Sequence, residues 1–271
     1  MTYRFTILTA VGALALGAAA QVHAQDEIRI GTEGAYPPYN FTDASGELVG
    51  FEIDMARELC ERMGAECTFV AQDWDGIIPA LLNGRYDVII AGMSITDERR
   101  EQIAFSQGYV TTPAQFVTAE GSDYDGLEGI DETLEALSGA VLGVQSGTIH
   151  QTFIEQELPD ADLRTYGTQE QLNLDLMADR VDVGLADASG WEPFLTSEEG
   201  EDYTVTGPGL TGDDFSVFGE GVGIGARQDD TELLARFNAA LCEMKADGSL
   251  RELAVEWFGF DTTLAPGPVC D

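Results

Sequence analysis

Short apolar runs along the chain alternate with segments in which apolar residues recur every three or four positions. Apolar runs of this length predict buried β-strands, and the three-to-four spacing predicts amphipathic helices. In the first part of the chain the predicted strands cover residues 28–32, 67–71 and 86–90, and the predicted helices cover residues 51–63 and 75–82. The run at 86–90 is continuously apolar, as expected of a parallel strand that is covered on both faces.

The same alternation then begins again further along the chain. Its predicted strands cover residues 140–144, 163–166 and 181–185. Its predicted helices cover residues 127–137, 149–158 and 168–178, with Thr168 as the cap of the last, and a further helix opens on Asp187 and runs toward Leu195. Two successive β-α-β-α series predict an α/β protein of two lobes.

The last section is too small to form a unit of its own. It contains a glycine-rich predicted strand at 219–225 and predicted helices at 231–246 and 250–258. We expect it to pack back onto the first lobe, so that the chain crosses between lobes twice, near 109–112 and 217–220. The predicted organisation is therefore a first lobe at 25–111, a second lobe at 112–217, and a return segment of the first lobe at 218–271.

The first 24 residues read as an export signal. A cationic start at Arg4 precedes an apolar run at 5–20, and Val22-His23-Ala24 resembles an Ala-x-Ala cleavage site, so the mature chain is expected to begin at Gln25. The run is short for a membrane span, although an uncleaved anchor is the alternative. No cysteine lies at the cleavage point, which argues against a lipid anchor. We therefore expect a periplasmic or secreted protein.

The charge balance is strongly acidic. The chain has 49 Asp and Glu residues against 13 Lys and Arg residues, and the acids are spread along its length. Such a surface repels nucleic acid and anionic lipid and favours the approach of cations. It is also suited to a saline medium, where salt screens the self-repulsion.

Four cysteines follow the export signal: Cys60, Cys67, Cys242 and Cys270. An even number in an exported chain favours two disulfides. Three connectivities are open, of which 60–67 with 242–270 is the simplest. Metal binding is not expected, because the chain has only two histidines and lacks closely spaced cysteine pairs, and we expect no cofactor.

The segment at 91–100, with the sequence AGMSITDERR, follows the predicted strand at 86–90. Ser94 or Thr96 is placed to cap a helix that opens on two acids. Backbone amides at the helix start, hydroxyl groups and a planar guanidinium together suit a small carboxylate. The alternative is an ordinary strand-to-helix turn with solvated arginines.

Several motifs in a fixed order resemble those of the extracellular solute-binding proteins for polar amino acids, the receptors of ATP-driven (ABC) importers. They are GTEGAYPP at 31–38, VGFEID at 49–54, DWDGIIPAL at 73–81, SITDER at 94–99, AFS at 104–106, SGT at 146–148 and GVG at 221–223. The cysteine pair 60 and 67 is similar to that of the lysine/arginine/ornithine and histidine receptors. The resemblance implies the type II periplasmic binding protein fold, with two doubly wound sheets joined by a two-strand hinge. It also implies a monomer that closes on a small ligand and then docks on a membrane permease.

The resemblance also assigns ligand contacts. Arg99 matches the arginine that holds the α-carboxylate, and Asp187 matches the aspartate that receives the α-ammonium. The remaining matches are the aromatics Tyr36 and Trp74 around the side chain, the acidic Glu33 at the far end, and the lining positions Ala91, Gly92, Met93, Ser94, Gln145 and Thr148. Each has a structural alternative: Arg99 on the surface, Asp187 as a helix N-cap, Trp74 and Tyr36 as packing, Glu33 in solvent. His150 is expected at the surface rather than in the site.

Glu33 bears most on the choice of ligand. A carboxylate buried in a closed cleft is costly unless a cation matches it. The receptors resembled here usually carry aspartate at this place, and the longer glutamate suits a guanidinium or a shorter ligand that must be reached. We therefore expect a basic amino acid, with arginine favoured over lysine, ornithine and histidine; opines and ectoine-like zwitterions stay open.

Two other functions fit the same motifs. A few proteins of this fold are dehydratases of cyclic prephenate-like acids, and Asp187 or Glu33 would then act as general acid or base. An anionic dicarboxylate would need a second cation, and none is obvious beyond Arg100. A ligand-sensing ectodomain would need a membrane segment after the second lobe, which is not expected here.

Overall fold

The structure is a computed structural model, and it describes Met1 and residues 27–270. The predicted export signal lies outside these residues apart from Met1. Thirteen strands and nine helices account for most of the described chain. In this part of the chain, no helix combines the length and the apolar character needed to cross a bilayer.

The first five-stranded sheet contains the N-terminal strand and one strand from late in the chain. The first seven strands of the chain are β1 (Glu27–Thr32), β2 (Ala35–Tyr36), β3 (Asn40–Thr42), β4 (Leu48–Val49), β5 (Glu66–Ala71), β6 (Val88–Ile89) and β7 (Ala104–Phe105). The order across the sheet is β5-β1-β6, then a late strand at Gly225–Ala226, then β7. The first three are parallel and the late strand is antiparallel to both of its neighbours. Strands β2, β3 and β4 form a separate small antiparallel sheet.

The second five-stranded sheet is built from the middle of the chain. Its strands are β8 (Ala114–Ala119), β9 (Val141–Gln145), β10 (Asp162–Tyr166), β11 (Val183–Asp187) and β12 (Tyr203–Leu210), in the order β10-β9-β11-β8-β12, and the late strand of the first sheet is β13. Strands β10, β9 and β11 are parallel, whereas β8 is antiparallel to both neighbours. We call the part built on the first sheet the first lobe and the part built on the second sheet the second lobe.

Helices cover both sheets. They are α1 (Phe51–Met63), α2 (Ile77–Leu82), α3 (Asp97–Arg100), α4 (Ile130–Leu137), α5 (Ile149–Glu157), α6 (Gln169–Met177), α7 (Ala188–Leu195), α8 (Thr231–Asp247) and α9 (Ser249–Phe258). Thr168 caps α6 as the sequence predicts, since its hydroxyl accepts from the amide of Gln171 at 3.3 Å. The family fold inferred from the motifs is confirmed by this two-sheet α/β architecture.

Each lobe has its own apolar core. In the first lobe, α8 and α9 pack against α1, and their side chains form one cluster that includes Ile30, Phe51, Phe237 and Phe258. The second lobe has a separate cluster of buried apolar side chains, which includes Phe116. The late section of the chain therefore completes the first core, and burial of its apolar stripe stabilises both segments together.

Two strands of the second sheet, β8 and β12, were not predicted from the sequence. Strand β8 is almost wholly buried, but Gln115 and Thr118 interrupt its apolar pattern. Both side chains are satisfied by backbone carbonyls: Gln115 donates to Thr206 at 3.1 Å, and Thr118 donates to Asp182 at 2.9 Å. The predicted strand at 219–225 is also wrong, because pairing in the sheet begins only at Gly225 and Val222 makes isolated bridges instead.

The chain passes from the first sheet to the second between Phe105 and Ala114, and it returns between Leu210 and Gly225. The two passages run side by side, because the amide of Val222 donates to the carbonyl of Val110 at 2.9 Å. The tail pairs on the other side of Val110, through a bridge to Thr263. The lobe boundaries at 111 and 217 stay predictions.

Both disulfides form the simplest of the three connectivities. Cys60 bonds Cys67 across the end of α1, and Cys242 bonds Cys270, which ties the tail to α8. Lys245, one turn along α8, donates to the carbonyls of Gly108 and Ala265. The tail is therefore fastened to the same region in which the chain crosses between lobes.

We predict that removing the tail disulfide lowers stability more than removing the other one. The 242–270 bond closes a loop of 28 residues, against 7 for the 60–67 bond. Loop-closure entropy gives about 3.5 kcal/mol for the longer loop and about 2.5 kcal/mol for the shorter one. Chemical unfolding of Cys242→Ala/Cys270→Ala and of Cys60→Ala/Cys67→Ala checks this order; a larger loss from the second pair would contradict it.

Candidate functional site

A cavity lies between the two lobes, near the ends of β1, β9 and β11, and it is lined by side chains from both lobes. The predicted contact residues that line it are Glu33, Tyr36, Trp74, Ala91, Gly92, Ser94, Arg99, Gln145, Thr148 and Asp187. The structure thus brings together residues spread over most of the sequence.

Met93 is the one predicted contact that does not line this cavity. Its side chain is fully buried and packs with Ile77, Tyr86 and Ile103 in an apolar cluster beneath the cavity. The preceding Gly92 adopts a left-handed φ of +62° and places its own backbone at the cavity wall. Met93 does line an adjoining cavity together with Trp74 and Arg99, and its role as a ligand contact stays a prediction.

Arg99 is a buried cation at the edge of the cavity. It lies in the short helix α3, which Thr96 caps: the Thr96 hydroxyl accepts from the Arg99 amide at 3.2 Å. The guanidinium Nη1 donates to the carbonyl of Ser94 at 2.9 Å, and the guanidinium carbon lies 5.3 Å from the centre of the Trp74 ring. Among residues 27–270, Arg99 makes no ion pair. Burial lowers the pKa of Arg99 to about 10, although Glu98 and Asp187 oppose this.

Because a pKa of about 10 leaves Arg99 protonated at neutral pH, its charge is present, and no residue of the described part of the chain forms an ion pair with it. Most of its five donors point to no acceptor in the described protein. An isolated buried charge is costly, and the carboxylate of a ligand would remove this cost. The surface alternative for Arg99 is excluded by its exposure of 9%.

Asp187 lies across the cavity, at the point where β11 passes into α7. It occupies the N-cap position, but its side chain makes no capping hydrogen bond. Instead Oδ2 accepts from the Tyr36 hydroxyl at 2.8 Å, and Oδ1 lies 3.6 Å from Nε2 of His150. Gly190 permits this approach, because a Cβ atom there would lie 2.5 Å from the Tyr36 oxygen. The carboxylate is therefore available to the cavity rather than to the helix.

Glu33 supplies a second carboxylate at another part of the cavity. It is 8% exposed, and its Oε1 accepts from Nε2 of Gln145 at 2.6 Å. Burial raises the pKa of Glu33 to about 7, and the nearby acids Glu52, Asp73 and Asp75 add to this, while the Gln145 bond opposes it. Within the described chain no cation pairs with Glu33. A positively charged group entering the cavity would restore the ionised form.

Glu52 is a third buried acid, and it positions the cavity wall. Its Oε1 accepts from the amide of Gly92 at 2.7 Å and from the Tyr109 hydroxyl, and its Oε2 accepts from Asn40 at 2.7 Å. Burial raises the pKa of Glu52, and these three donors counteract the shift. In the sequence, Glu52 stands out only as a member of the VGFEID motif, and its position as an acid on the apolar face of α1 was the available signal.

Side-chain hydrogen bonds join the two lobes at and around the cavity. Two involve the carboxylates just described, from Gln145 to Glu33 and from Tyr36 to Asp187. Further bonds run from Trp74 Nε1 to the carbonyl of Gly147 at 3.1 Å, from the Ser146 hydroxyl to Asp75 at 2.7 Å, and between the Tyr39 and Ser189 hydroxyls at 2.8 Å. The lobes are therefore closed on the cavity, and the two aromatic rings form part of that closure.

Two polar residues at the cavity were missed. His150 was expected at the surface, but it is 5% exposed and lines the cavity, and its Nε2 is buried without a hydrogen bond in the described residues. Gln169 also lines the cavity, with its Oε1 buried and unpartnered within the same residues. Both sit in the first turn of a helix whose N-cap is a threonine, Thr148 or Thr168. That shared position after a cleft strand was the only signal in the sequence.

Comparison with known protein families assigns the chain to one of them. Residues 28–260 match the bacterial extracellular solute-binding proteins, family 3. The chain belongs to this family. The match spans both lobes and the return segment, so the resemblance read from the short motifs is confirmed.

Relatives in this family are named for basic amino acids. The L-arginine-binding protein of Pseudomonas aeruginosa is 38% identical over 259 residues, covering 94% of this chain and 97% of the relative. The lysine/arginine/ornithine-binding periplasmic protein of Escherichia coli is 36% identical, covering 92% of this chain and 94% of the relative. Among solved structures, a periplasmic His/Glu/Gln/Arg/opine family-binding protein from Silicibacter pomeroyi in complex with lysine is 38% identical, with a TM-score of 0.74. That match covers 88% of this chain and 99% of the other. These family members are amino-acid-binding periplasmic proteins.

Proposed function

We propose that the chain is the substrate-binding receptor of an ABC-type amino acid importer and that it captures a basic amino acid, arginine before lysine, ornithine or histidine. The observation that carries this proposal is the pattern of charge in the cavity. One cation, Arg99, has no counterion among the described residues. Neither of the two carboxylates, Glu33 and Asp187, pairs with an arginine or lysine there.

A basic amino acid supplies the complement of this pattern. Its α-carboxylate pairs with the planar fork of Arg99, and its α-ammonium pairs with Asp187. Its cationic side chain passes between Tyr36 and Trp74 and reaches Glu33. One arginine and two carboxylates leave one negative charge uncompensated, and a ligand with one net positive charge balances it.

Closure follows from the placement of these groups on different lobes. Arg99 and Glu33 belong to the first lobe and Asp187 to the second. A zwitterion bound between them attracts both lobes, so it binds the closed form better than the open one. The closed monomer then docks on its permease in the inner membrane. The acidic surface favours the approach of a cationic ligand.

No chemistry is needed for this function, and a dehydratase activity is not proposed. A cyclic dicarboxylate would meet one arginine and two carboxylates in the cavity, so its second carboxylate would be repelled by Glu33 or Asp187. The charge pattern therefore favours a cationic ligand over a dianionic one.

A thermal-shift screen tests the proposal. Protein stripped of bound ligand by partial unfolding is melted with each amino acid, octopine, ectoine and prephenate. A ligand at 1,000 times its Kd adds about 4 kcal/mol to the unfolding free energy, so arginine should give the largest rise in Tm. Absence of any shift with arginine, lysine, ornithine and histidine would overturn the proposal, and a shift with prephenate alone would favour the enzyme.

We predict that arginine binds more weakly as the pH falls through 7. The pKa of Glu33 is about 7 in the empty cavity, and only the ionised carboxylate pairs with a cation, so protons compete with the ligand below this pH. The Kd for arginine should rise about tenfold from pH 8 to pH 6. Calorimetric titration at both pH values measures the change.

The control for this pH dependence is Glu33→Gln, which has nothing to titrate at that position. Its Kd for arginine should change by less than about threefold over the same pH range. An equal tenfold change in the variant would contradict the assignment of this pH dependence to Glu33.

A further inference from the structure

Gln169 presents an unused hydrogen-bond acceptor to the cavity. It is the first residue of α6 and is 4% exposed. Its Oε1 is buried and accepts no hydrogen bond from the described protein. A buried amide oxygen without a donor costs free energy, so its presence at a ligand cavity points to a donor that arrives with the ligand.

One neighbour, Asn173, bonds the Gln169 amide. Its Nε2 donates to Oδ1 of Asn173, one turn along the helix, at 2.9 Å. The nitrogen is thereby occupied, and the oxygen is the atom left open. An amide oxygen accepts hydrogen bonds and cannot donate them.

Gln169 lies at the same end of the cavity as Glu33. The Nε2 of Gln145 donates both to Glu33 Oε1 at 2.6 Å and to the carbonyl of Gly167 at 3.2 Å, and Gly167 is two residues before Gln169. Helix α6 also packs against β2, which begins two residues after Glu33. Both protons of the Gln145 amide are used in these bonds. This end of the cavity therefore offers acceptors, Glu33 Oε2 and Gln169 Oε1, and no spare donor from Gln145.

Two acceptors on different elements suit a flat cation with several N–H groups. A guanidinium has five donors that diverge in one plane, whereas an ammonium is a compact charge with three. We propose that Gln169 is a specificity-determining residue whose amide oxygen accepts a hydrogen bond from the ligand guanidinium beside Glu33. This inference rests on the proposed function and deepens it: Glu33 selects for positive charge, and Gln169 favours arginine over lysine.

The test compares the affinities for arginine and lysine in Gln169→Met by calorimetric titration. Methionine has a similar length and no acceptor of comparable strength. The Kd for arginine should rise by about 10- to 100-fold, because a hydrogen bond to a charged group is lost. The Kd for lysine should rise by less than about threefold, since its ammonium is satisfied by Glu33. A uniform structural defect would weaken both ligands equally.

Two further variants sharpen the test. Glu170→Gln changes the exposed next residue of the same helix and should leave both affinities unchanged. Asn173→Ala keeps the Gln169 oxygen but frees its orientation, and it should weaken arginine by less than Gln169→Met does. If Gln169→Met does not fold, as judged by its melting curve, Gln169→Leu carries the same expectation.

An unchanged ratio of arginine to lysine affinity in the folded Gln169 variant would overturn this inference while leaving the proposed function intact. Failure of the wild-type protein to bind any basic amino acid would instead defeat the proposed function. The wild-type titration thus separates the two failures.

Discussion

Arg99→Ala should weaken the binding of every α-amino acid at least about 30-fold. The guanidinium is the one arginine at the cavity, and in the described structure it has no anionic partner of its own. Removing one partner of a buried charge pair costs about 2–5 kcal/mol, which corresponds to a rise in Kd of about 30- to several-thousand-fold. Because the α-carboxylate is common to all amino acids, basic and neutral ligands should be affected alike. Calorimetric titration with arginine and with glutamine measures this.

Arg100→Ala is the matched control for this variant. Arg100 is the next residue of α3, but it is exposed and pairs with Glu220 at 2.7 Å away from the cavity. An exposed pair contributes little, so the Kd for arginine should change by less than about threefold. Equal losses in the two variants would mean that the carboxylate is held elsewhere. The same conclusion would follow if Arg99→Ala retained wild-type affinity.

Glu33→Gln should weaken basic ligands far more than neutral ones. The substitution keeps the shape of the side chain and an oxygen that accepts from Gln145, but it removes the negative charge. Loss of a buried charge pair predicts a rise in the Kd for arginine of about 100-fold. The Kd for glutamine should change by less than about threefold, because its side chain brings no charge to this position.

The control for Glu33→Gln is Glu27→Gln, at the exposed far end of the same strand. It removes one charge from the same strand and from the net balance, so it measures the contribution of long-range attraction alone. That contribution should be small at physiological salt. A loss of arginine affinity in Glu27→Gln equal to that in Glu33→Gln would show that overall charge, and not the cavity carboxylate, selects the ligand.

Much of the fold could be predicted because helices and parallel strands have distinct patterns. The apolar stripe of α1 and the cap of α6 were readable from local spacing. Strand β8 was not, because Gln115 and Thr118 are polar in isolation and become compatible with the core only through carbonyls distant in sequence. Such compensation is a tertiary property, and local pattern does not contain it.

In the candidate site, too, some positions could be predicted from the sequence and others could not. The positions taken from motifs, such as Glu33, Arg99 and Asp187, do line one cavity, although their roles in binding stay proposals. His150 is buried at the cavity and not at the surface as expected, because the sequence around a lone histidine does not reveal the direction of its side chain. The importance of Gln169 depends on which of its amide atoms is left without a partner, and that depends on Asn173 and on the lobe arrangement.

The central claim is that one basic amino acid neutralises the buried Arg99, the buried Glu33 and the half-buried Asp187, none of which pairs with an oppositely charged Lys, Arg, Asp or Glu side chain in the described protein. Calorimetric titration of ligand-stripped wild-type protein at pH 8 with arginine, and separately with glutamine, tests it most directly. The account predicts one arginine per chain, bound at least about 100-fold more tightly than glutamine. Glutamine bound as tightly as arginine, or no heat with either ligand, would contradict it.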